Sequence, residues 1–357
     1  MKHIIIISFL FFLSCSNNSP KEIIEPSAKE YISAVDLSSL PEIEKKNIAF
    51  YNKEGKAEDM VSILKKNGVN TVRLRIWNRP ETENSGFNEV KSFSKQLQNL
   101  GLKVWLTVHY SDTWADPGKQ DPPKDWQQIP FTALKDSVYN YTKKIMSEIK
   151  PDIIQIGNEI NPGLLLPYGD INSNKNQFLE ILSTGVKAVR DDNENTKIMI
   201  HFAGINNADW FFDQVNTIDY DYIGLSYYPI WHGKDLTVLK NKLSLLSEKH
   251  QKEILIAETA YPFTLDWNDW TNNIVGLEEQ ILPQYPATQQ GQKDFITKIK
   301  ELITLTEKGK GFCYWGGELV AFNGKDATDG SPWENQAVFD FDNKVLPVIS
   351  AFQFKNE

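Results

Sequence analysis

The chain has 357 residues, of which 41% are hydrophobic and 12% aromatic, so it can bury a large core and is not a disordered protein. Its formal net charge is −9 at pH 7, and Lys and Arg occur in no block longer than short pairs, which argues against a nucleic-acid-binding protein. The length fits one large α/β domain or two smaller ones.

The N-terminus predicts export. An apolar stretch from Ile4 to Leu13 is too short to span a membrane as a helix and is typical of a signal peptide. Cys15 follows this stretch and precedes a polar Ser/Asn tract, which resembles a bacterial lipoprotein signal whose cysteine becomes the acylated N-terminus. We therefore expect residues 1–15 to be a lipoprotein-type signal peptide and residues 16–30 to be a flexible tether. The alternative is an ordinary secretory signal, with Cys15 discarded.

A lipid on Cys15 would anchor the protein at the outer membrane or the cell surface, and the periplasmic face of the membrane is the alternative location. The only other cysteine is Cys313, so a lipidated Cys15 leaves no partner for an internal disulfide.

After residue 30 the sequence alternates between short β-branched or aromatic runs and longer amphipathic segments. The short runs predict strands at residues 31–36, 70–77, 102–110, 152–158, 197–203, 221–228, 253–259 and 311–316. The amphipathic segments predict helices at residues 56–68, 88–101, 131–149, 175–192, 235–250 and 291–309. This alternation is typical of parallel strands joined by crossover helices, so residues 31–357 are predicted to form a single (β/α)8 TIM barrel of the α/β class.

A doubly wound open sheet is the alternative architecture. It would normally carry a Gly-rich turn after its first strand to hold a phosphate, and residues 35–44, VDLSSLPEIE, contain no such glycines. In a barrel, catalytic residues lie at the carboxyl ends of several strands. The barrel therefore predicts one mouth at which polar side chains gather.

The predicted strand ends carry polar and aromatic side chains. They are Asp36, Arg75, Trp77, His109, Tyr110, Asn158, Glu159, His201, Tyr227, Tyr228, Glu258, Tyr314 and Trp315. Glu159 and Glu258 follow the fourth and seventh strands, and paired carboxylates across a barrel mouth are what glycosidic hydrolysis requires. The simpler alternative for the adjacent Asn158 and Glu159 is a helix N-terminus capped by polar side chains.

The pattern of Asn-Glu after strand four and Glu after strand seven resembles the clan A retaining (β/α)8 glycoside hydrolases. Residues 109–126, HYSDTWADPGKQDPPKDW, resemble the loop after strand three in the family 53 endo-β-1,4-galactanases, and other stretches agree in order over residues 33–350. The likeness weakens at residues 314–320, where YWGGELV replaces the commoner Tyr-Trp-Glu-Pro, and in the loop 322–341.

The resemblance implies endo-hydrolysis of β-1,4-linked galactan, or type I arabinogalactan, with retention of anomeric configuration. Glu159 matches the acid/base and Glu258 the nucleophile, and Asn158 would hydrogen-bond the sugar 2-hydroxyl. Retention requires the two carboxyl groups to lie roughly 5 to 5.5 Å apart.

Supporting roles follow from the same resemblance and from strand geometry. Arg75 would keep Glu258 ionised, whereas Arg73, which lies deeper in the barrel, is expected to be a structural ion-pair partner. Tyr227 is placed to hydrogen-bond Glu258, unless a shift of one residue in the strand register makes Tyr228 the inward residue.

Further positions are expected to contact the glycan. His109 would lie near both carboxylates, and Trp315 would form an apolar floor under the sugar that is cleaved. Asp112, Trp114 and Asp116 would shape the groove on the glycan-binding side. The five histidines form no ligand-spaced cluster, so no catalytic metal and no cofactor are expected, although a structural calcium in the loop 322–341 stays open.

Two other functions remain open. A clan A mannanase or xylanase would keep every catalytic residue and change only the groove. A catalytically inactive, surface glycan-binding lipoprotein is the alternative of another class. For the favoured function the expected partners are galactan and, through the anchor, a membrane, and the protein is expected to be a monomer that binds no nucleic acid.

Overall fold

The computed structural model describes residues 29–354, so the predicted signal peptide, Cys15 and nearly all of the predicted tether lie outside the described residues. All eight predicted strands are present and form a closed parallel barrel in which each strand pairs with its neighbours in the chain. They are β1 (Ile32–Asp36), β2 (Thr71–Ile76), β3 (Lys103–Val108), β4 (Ile153–Ile156), β5 (Lys197–Ala203), β6 (Tyr222–Ser226), β7 (Glu253–Thr259) and β8 (Gly309–Tyr314). The (β/α)8 prediction is confirmed.

Helices lie between the strands, and the six predicted ones are found, with ends that differ from the predicted bounds by up to five residues. The helices are α1 (Leu40–Glu44), α2 (Met60–Lys66), α3 (Phe87–Asn99), α4 (Phe131–Glu148), α5 (Lys175–Arg190), α6 (Ala208–Gln214), α7 (Pro229–His232), α8 (Leu236–His250) and α9 (Gln289–Thr304). The short α1, α6 and α7 were not predicted, because segments of four to seven residues show too few turns for a helical period to stand out. Among the described residues, none of these helices combines the length and the apolar character needed to cross a bilayer.

Two separate apolar layers hold the barrel together. The larger layer lies between the strands and the surrounding helices, and on β2 it takes the outward residues Val72, Leu74 and Ile76. The smaller layer fills the barrel interior with inward side chains, which include Trp105, Met199, Tyr222, Leu255, Ala257 and Cys313. This inner layer seals the lower part of the barrel, so the polar inward residues further along each strand are left at the mouth.

Candidate active site

The alternation of side chains along each strand decides which of them point into the barrel mouth. On β6, Tyr222 packs inside the barrel while Ile223 and Leu225 pack outside. Because side chains alternate along a strand, Ser226 then points inward, and Tyr228 continues the inward series just beyond the strand. The prediction for Tyr227 is therefore wrong and its stated alternative holds: Tyr228 Oη donates to Glu258 Oε2 at 3.1 Å, whereas Tyr227 Oη donates to the carbonyl of Gly233 at 2.7 Å.

Glu258 reaches the mouth through an irregularity in β7. Ala257 belongs to the barrel interior, so simple alternation would turn Glu258 outward. The register shifts at this point on both sides, because Ile256 pairs with Leu225 while Glu258 pairs with Ser226, and Thr259 pairs with Tyr314 on β8. Such a bulge re-aims one side chain, and here Glu258 lies at the mouth with only 6% of its surface exposed.

Glu159 and Asn158 follow β4 through a tight turn. Gly157 has φ +82°, and a Cβ there would lie 2.5 Å from Ile160 Cγ2, so the turn requires a glycine. Glu159 itself has φ +47°, an uncommon conformation for a residue with a side chain. Asn158 Nδ2 donates to the carbonyl of Ala115 at 2.8 Å and its Oδ1 accepts from Arg73, so this amide does not cap a helix.

Arg73 joins three of the polar groups at the mouth. Its Nη1 donates to Asp36 Oδ2 at 2.9 Å, and its Nη2 donates to Asn158 Oδ1 at 2.9 Å and to Glu258 Oε1 at 2.7 Å. The prediction that Arg75 pairs with Glu258 is wrong. Among the described residues, the Arg75 side chain donates only to hydroxyl oxygens, those of Ser85 and Ser39. Arg73 lies deeper in the barrel than Arg75, and its long side chain extends toward the mouth. Its guanidinium therefore reaches the Glu258 carboxylate.

The two glutamates differ in their surroundings. Burial, and then the charge of Glu258, raise the pKa of Glu159 to about 8, which keeps it protonated at neutral pH. Burial also raises the pKa of Glu258, but the Arg73 guanidinium and the Tyr228 hydroxyl oppose that shift by stabilising the carboxylate. The arrangement therefore favours one acid and one carboxylate in the same site.

Glu159, Glu258 and His201 place one ligand-type atom each within 4.8 Å of one another. His201 offers no free lone pair to a metal, because Nδ1 lies 2.9 Å from Gln155 Nε2 and Nε2 lies 2.9 Å from Ser226 Oγ. The cluster indicates instead how close the two carboxylates are. One oxygen of Glu159 and one of Glu258 lie within 4.8 Å, which is near enough to flank a single glycosidic bond.

A cleft of about 450 Å³ opens above the two carboxylates. Tryptophans line it, namely Trp114, Trp231, Trp315 and Trp333. Trp315 and Trp333 lie 4.4 Å apart between ring centroids at an angle of 63°. A second hollow of about 390 Å³ shares Trp114, Trp315 and Trp333 and adds Arg75, so the depression continues along the mouth. Aromatic faces exposed in this way suit stacking on sugar rings.

The predicted glycan-contacting residues separate into two groups. Trp114, Asp116 and Trp315 line the cleft. Asp112 instead holds the loop, because its Oδ1 accepts from the backbone N–H of Arg79 and its Oδ2 from that of Lys124. The prediction that Asp112 shapes the groove is corrected to this bracing role, since Asp112 lines neither the cleft nor the neighbouring hollow.

His109 is buried at the mouth and also holds structure. Its Nδ1 accepts from Trp77 Nε1 at 3.3 Å and from the backbone N–H of Ala115 at 3.0 Å. Burial, and then the charges of Arg73 and Arg75, lower the pKa of His109 well below its ordinary value, so the ring is neutral. His109 therefore fixes the backbone of the loop that carries Trp114.

Sequence reasoning gave no role to Ser226, His201, Gln155 or Trp333. Ser226 donates to Glu159 Oε1, and His201 lies against Ser226. The alternation of side chains along a strand could have indicated the first three, because each is a polar residue at an inward position of its strand. Trp333 lies in a long loop without periodicity, so no sequence signal placed it.

Known proteins resemble this chain over nearly its whole length. The pattern of Glycosyl hydrolase family 53 matches residues 32–352. An arabinogalactan endo-beta-1,4-galactanase of Cellvibrio japonicus is 35% identical over 90% of this chain and 90% of its own length. An endo-beta-1,4-galactanase of Bacillus subtilis is 32% identical over 93% of this chain and 87% of its own length. The solved catalytic domain of family GH53 from Ignisphaera aggregans superposes with a TM-score of 0.85 at 37% identity, over 91% of this chain and 96% of that domain. The chain therefore belongs to glycosyl hydrolase family 53.

Proposed function

We propose that the protein is a retaining endo-β-1,4-galactanase. The observation that carries the proposal is the placement of Glu159 and Glu258 with carboxylate oxygens within 4.8 Å at the base of a tryptophan-lined cleft. Family membership and the galactanase names of the relatives support galactan as the substrate. A depression that continues past Trp315 supports endo-action, because it offers room for sugars on both sides of the cleaved bond.

In the first step Glu258 attacks the anomeric carbon and forms a glycosyl–enzyme ester. As the bond to the leaving oxygen breaks, the proton of Glu159 moves to that oxygen. The pKa of about 8 of Glu159 supports this role, because the group holds its proton at neutral pH. Asn158 is proposed to hydrogen-bond the sugar 2-hydroxyl, and Trp315 to lie under the sugar ring.

In the second step a water molecule attacks the anomeric carbon from the side that the leaving group vacated. Glu159, now a carboxylate, takes a proton from this water, and the ester bond to Glu258 breaks. Two displacements at the same carbon retain its configuration. Arg73 and Tyr228 stabilise Glu258 as the attacking and later the departing carboxylate, since both donate hydrogen bonds to it.

Product analysis tests this proposal. The protein is incubated with linear β-1,4-galactan, and with β-mannan and xylan as comparison substrates, and early products are separated by chain length. A mixture of galacto-oligosaccharides of intermediate length, with the β-anomer formed first in the ¹H NMR spectrum, is expected. Cleavage of mannan or xylan in preference to galactan, or first formation of the α-anomer, would contradict it.

We also propose that Cys15 carries a lipid, with the residues before that cysteine removed, residues 16–30 as the tether and the barrel as an exported monomer at the outer membrane or cell surface. The N-terminal sequence supports this proposal. Expression with a labelled fatty acid should label the native protein and not a Cys15→Ala variant. Label that persists in the variant would contradict the anchor, and a dimer in light scattering would contradict the monomer.

A structural calcium ion is a further part of the proposal, supported by unpartnered oxygens in the loops that follow β7 and β8. Within the described residues, Asp269 Oδ2, Asn273 Oδ1 and Glu334 Oε2 are buried without a hydrogen-bond partner. Gly330 leaves space beside the first of them, because a Cβ there would lie 2.1 Å from Asp269 Oδ2. Oxygen ligands of this kind suit calcium, which would brace the loops and take no part in the chemistry.

Thermal unfolding tests the ion. Calcium chloride should raise Tm relative to EDTA for the native protein, and an Asp269→Asn variant should lose most of that difference. An equal Tm in calcium and in EDTA for the native protein would contradict the site.

A further inference from the structure

We propose that Ser226 and His201 are positioning residues that hold Oε1 of Glu159, so that the proton used in catalysis is carried on Oε2. This inference rests on the proposed function of Glu159 as the acid/base. Neither residue is placed to contact the reacting atoms, since both are fully buried and neither lines the cleft.

The direction of the hydrogen bonds follows from groups that can only donate. Trp105 Nε1–H is such a group and lies 3.3 Å from the Gln155 side-chain oxygen, which orients that amide. The amide nitrogen of Gln155 then faces His201 Nδ1 at 2.9 Å and donates to it. The backbone N–H of Glu159, also only a donor, approaches the same nitrogen at 3.4 Å. His201 Nδ1 also lies 3.2 Å from Asn158 Oδ1, which can only accept, but the shortest of its contacts is to the donor Gln155 and a second donor approaches it, so we assign Nδ1 as an acceptor.

A neutral imidazole whose Nδ1 accepts must carry its proton on Nε2. Burial, and then the charge of Arg73, lower the pKa of His201 well below its ordinary value, which keeps the ring neutral. His201 Nε2 lies 2.9 Å from Ser226 Oγ and donates to it. Because the Ser226 oxygen accepts this hydrogen bond, the hydroxyl proton of Ser226 points elsewhere. It is donated to Glu159 Oε1.

This chain of hydrogen bonds leaves one oxygen of Glu159 for chemistry. Oε1 accepts from Ser226, and among the described residues no hydrogen-bond partner is found for Oε2, although Glu159 lines the cleft. A proton on Oε1 would face the Ser226 hydroxyl proton, so the acidic proton resides on Oε2. The Gln155, His201 and Ser226 side chains are all buried, so the orientation is kept without help from solvent.

The pH dependence depends on all groups that face Glu159. These are Ser226, Arg73, Glu258, Asp116, Tyr228 and the neutral His201. The Ser226 hydrogen bond lowers the pKa of Glu159 against the larger effect of burial. Removal of the hydroxyl should therefore move the pKa of Glu159 upward and carry the alkaline limb of the activity profile to higher pH, while the misplaced acid slows the reaction.

The experiment compares Ser226→Ala with Ser33→Ala in the full chain. Ser33 is the matched control, because it is buried on β1 and its hydroxyl donates one hydrogen bond, to the carbonyl of Phe352 at 2.7 Å. Two substrates are used: linear galactan, whose leaving oxygen must be protonated, and a dinitrophenyl β-1,4-galactobioside, whose leaving group departs without a proton.

We expect Ser226→Ala to lower kcat on galactan about tenfold or more, with KM unchanged, and to shift the alkaline limb upward. The burst of dinitrophenolate from the activated substrate should keep its native rate, and Ser33→Ala should resemble the native protein on both substrates. Equal losses on the two substrates, or an unmoved alkaline limb, would overturn the inference.

A second measurement needs no substituted Ser226. In ¹⁵N spectra of the native protein, the His201 ring, identified with a His201→Gln variant, should stay neutral with its proton on Nε2 across the active pH range. A ring protonated on Nδ1 would overturn the inference even if galactan is cleaved. A native protein that is folded but inactive on galactan would instead overturn the proposed function and, with it, the positioning role of Ser226.

Discussion

Arg73 Nη2 lies 2.7 Å from Glu258 Oε1, so the deeper of the two inward arginines on β2 holds the carboxylate of β7. Arg75 stands one inward position nearer the cleft and stacks instead over Trp114, with 4.3 Å from its guanidinium carbon to the ring centroid. Two residues of the same type on one strand thus have separate tasks.

The first prediction compares these arginines. Arg73→Lys should lower kcat on galactan at least about tenfold, because one ammonium cannot reproduce the planar, multiple donation to Asp36, Asn158 and Glu258. Arg75→Lys should change mainly KM, through the packing of Trp114. Steady-state kinetics on galactan and a circular dichroism check of folding measure both. A larger loss of kcat in Arg75→Lys would contradict the assignment.

The second prediction uses the adjacent tyrosines after β6. Tyr228→Phe removes a hydrogen bond to the Glu258 carboxylate, which should lower kcat about tenfold and move the acidic limb of the pH profile upward, since that bond lowers the pKa of Glu258. Tyr227→Phe should keep native kcat and lose about 1 kcal/mol of unfolding free energy, because only a bond to Gly233 is lost. Equal kinetic effects in both variants would contradict the assignment of Tyr228, and not Tyr227, as the residue that faces Glu258.

The third prediction concerns the nucleophile. Glu258→Gln should lower galactan turnover by about a thousandfold or more, because an amide cannot form the glycosyl ester. The variant should fold, since the amide keeps the size of the carboxylate and accepts from Arg73. Turnover of galactan near the native rate, in a sample free of native enzyme, would remove Glu258 from the mechanism.

The fourth prediction is the alkaline limb of native activity. Glu159 must be protonated to release the leaving oxygen, and its pKa lies at about 8. The rate constant kcat on galactan should therefore fall as pH rises through about 8. If the acid had the pKa of an ordinary exposed glutamate, kcat would fall at a lower pH. Profiles measured at constant ionic strength, with folding checked at each pH, decide this point.

The fifth prediction links the same group to stability. The pKa of Glu159 is raised from about 4.5 to about 8 on folding, so ionisation disfavours the folded state above its unfolded pKa. Glu159→Gln removes this effect: Tm should match the native value below about pH 4.5, rise above it as pH increases, and keep a constant advantage beyond about pH 8. Glu81→Gln, at a side chain that is 91% exposed, is the control and should show no such trend. A difference in Tm that does not change with pH would contradict the raised pKa.

Much of the site followed from the positions of strand ends. The runs that lead into Asn158, Glu159 and Glu258 are largely apolar, so they read as buried strands, and the topology of a parallel barrel brings their ends to one mouth. Trp114, Asp116 and Trp315 were placed at the cleft by the family resemblance and by their positions after strands three and eight. The errors at Arg75, Tyr227 and Asp112 share one cause. A correct prediction needed to know how deep each side chain lies in the barrel and which way it points, and the sequence pattern does not define this to within one or two residues.

The sequence by itself determined the (β/α)8 fold, the two glutamates at the mouth and the resemblance to family 53, because periodicity and local motifs are properties of consecutive residues. Only the tertiary structure decided which arginine holds Glu258, which tyrosine faces it and how Ser226 and His201 support Glu159. Those relationships depend on a bulge in β7, on the reach of long side chains and on hydrogen bonds between residues far apart in the chain. They are set when eight strands close around one interior, where each inward side chain must find space and a partner.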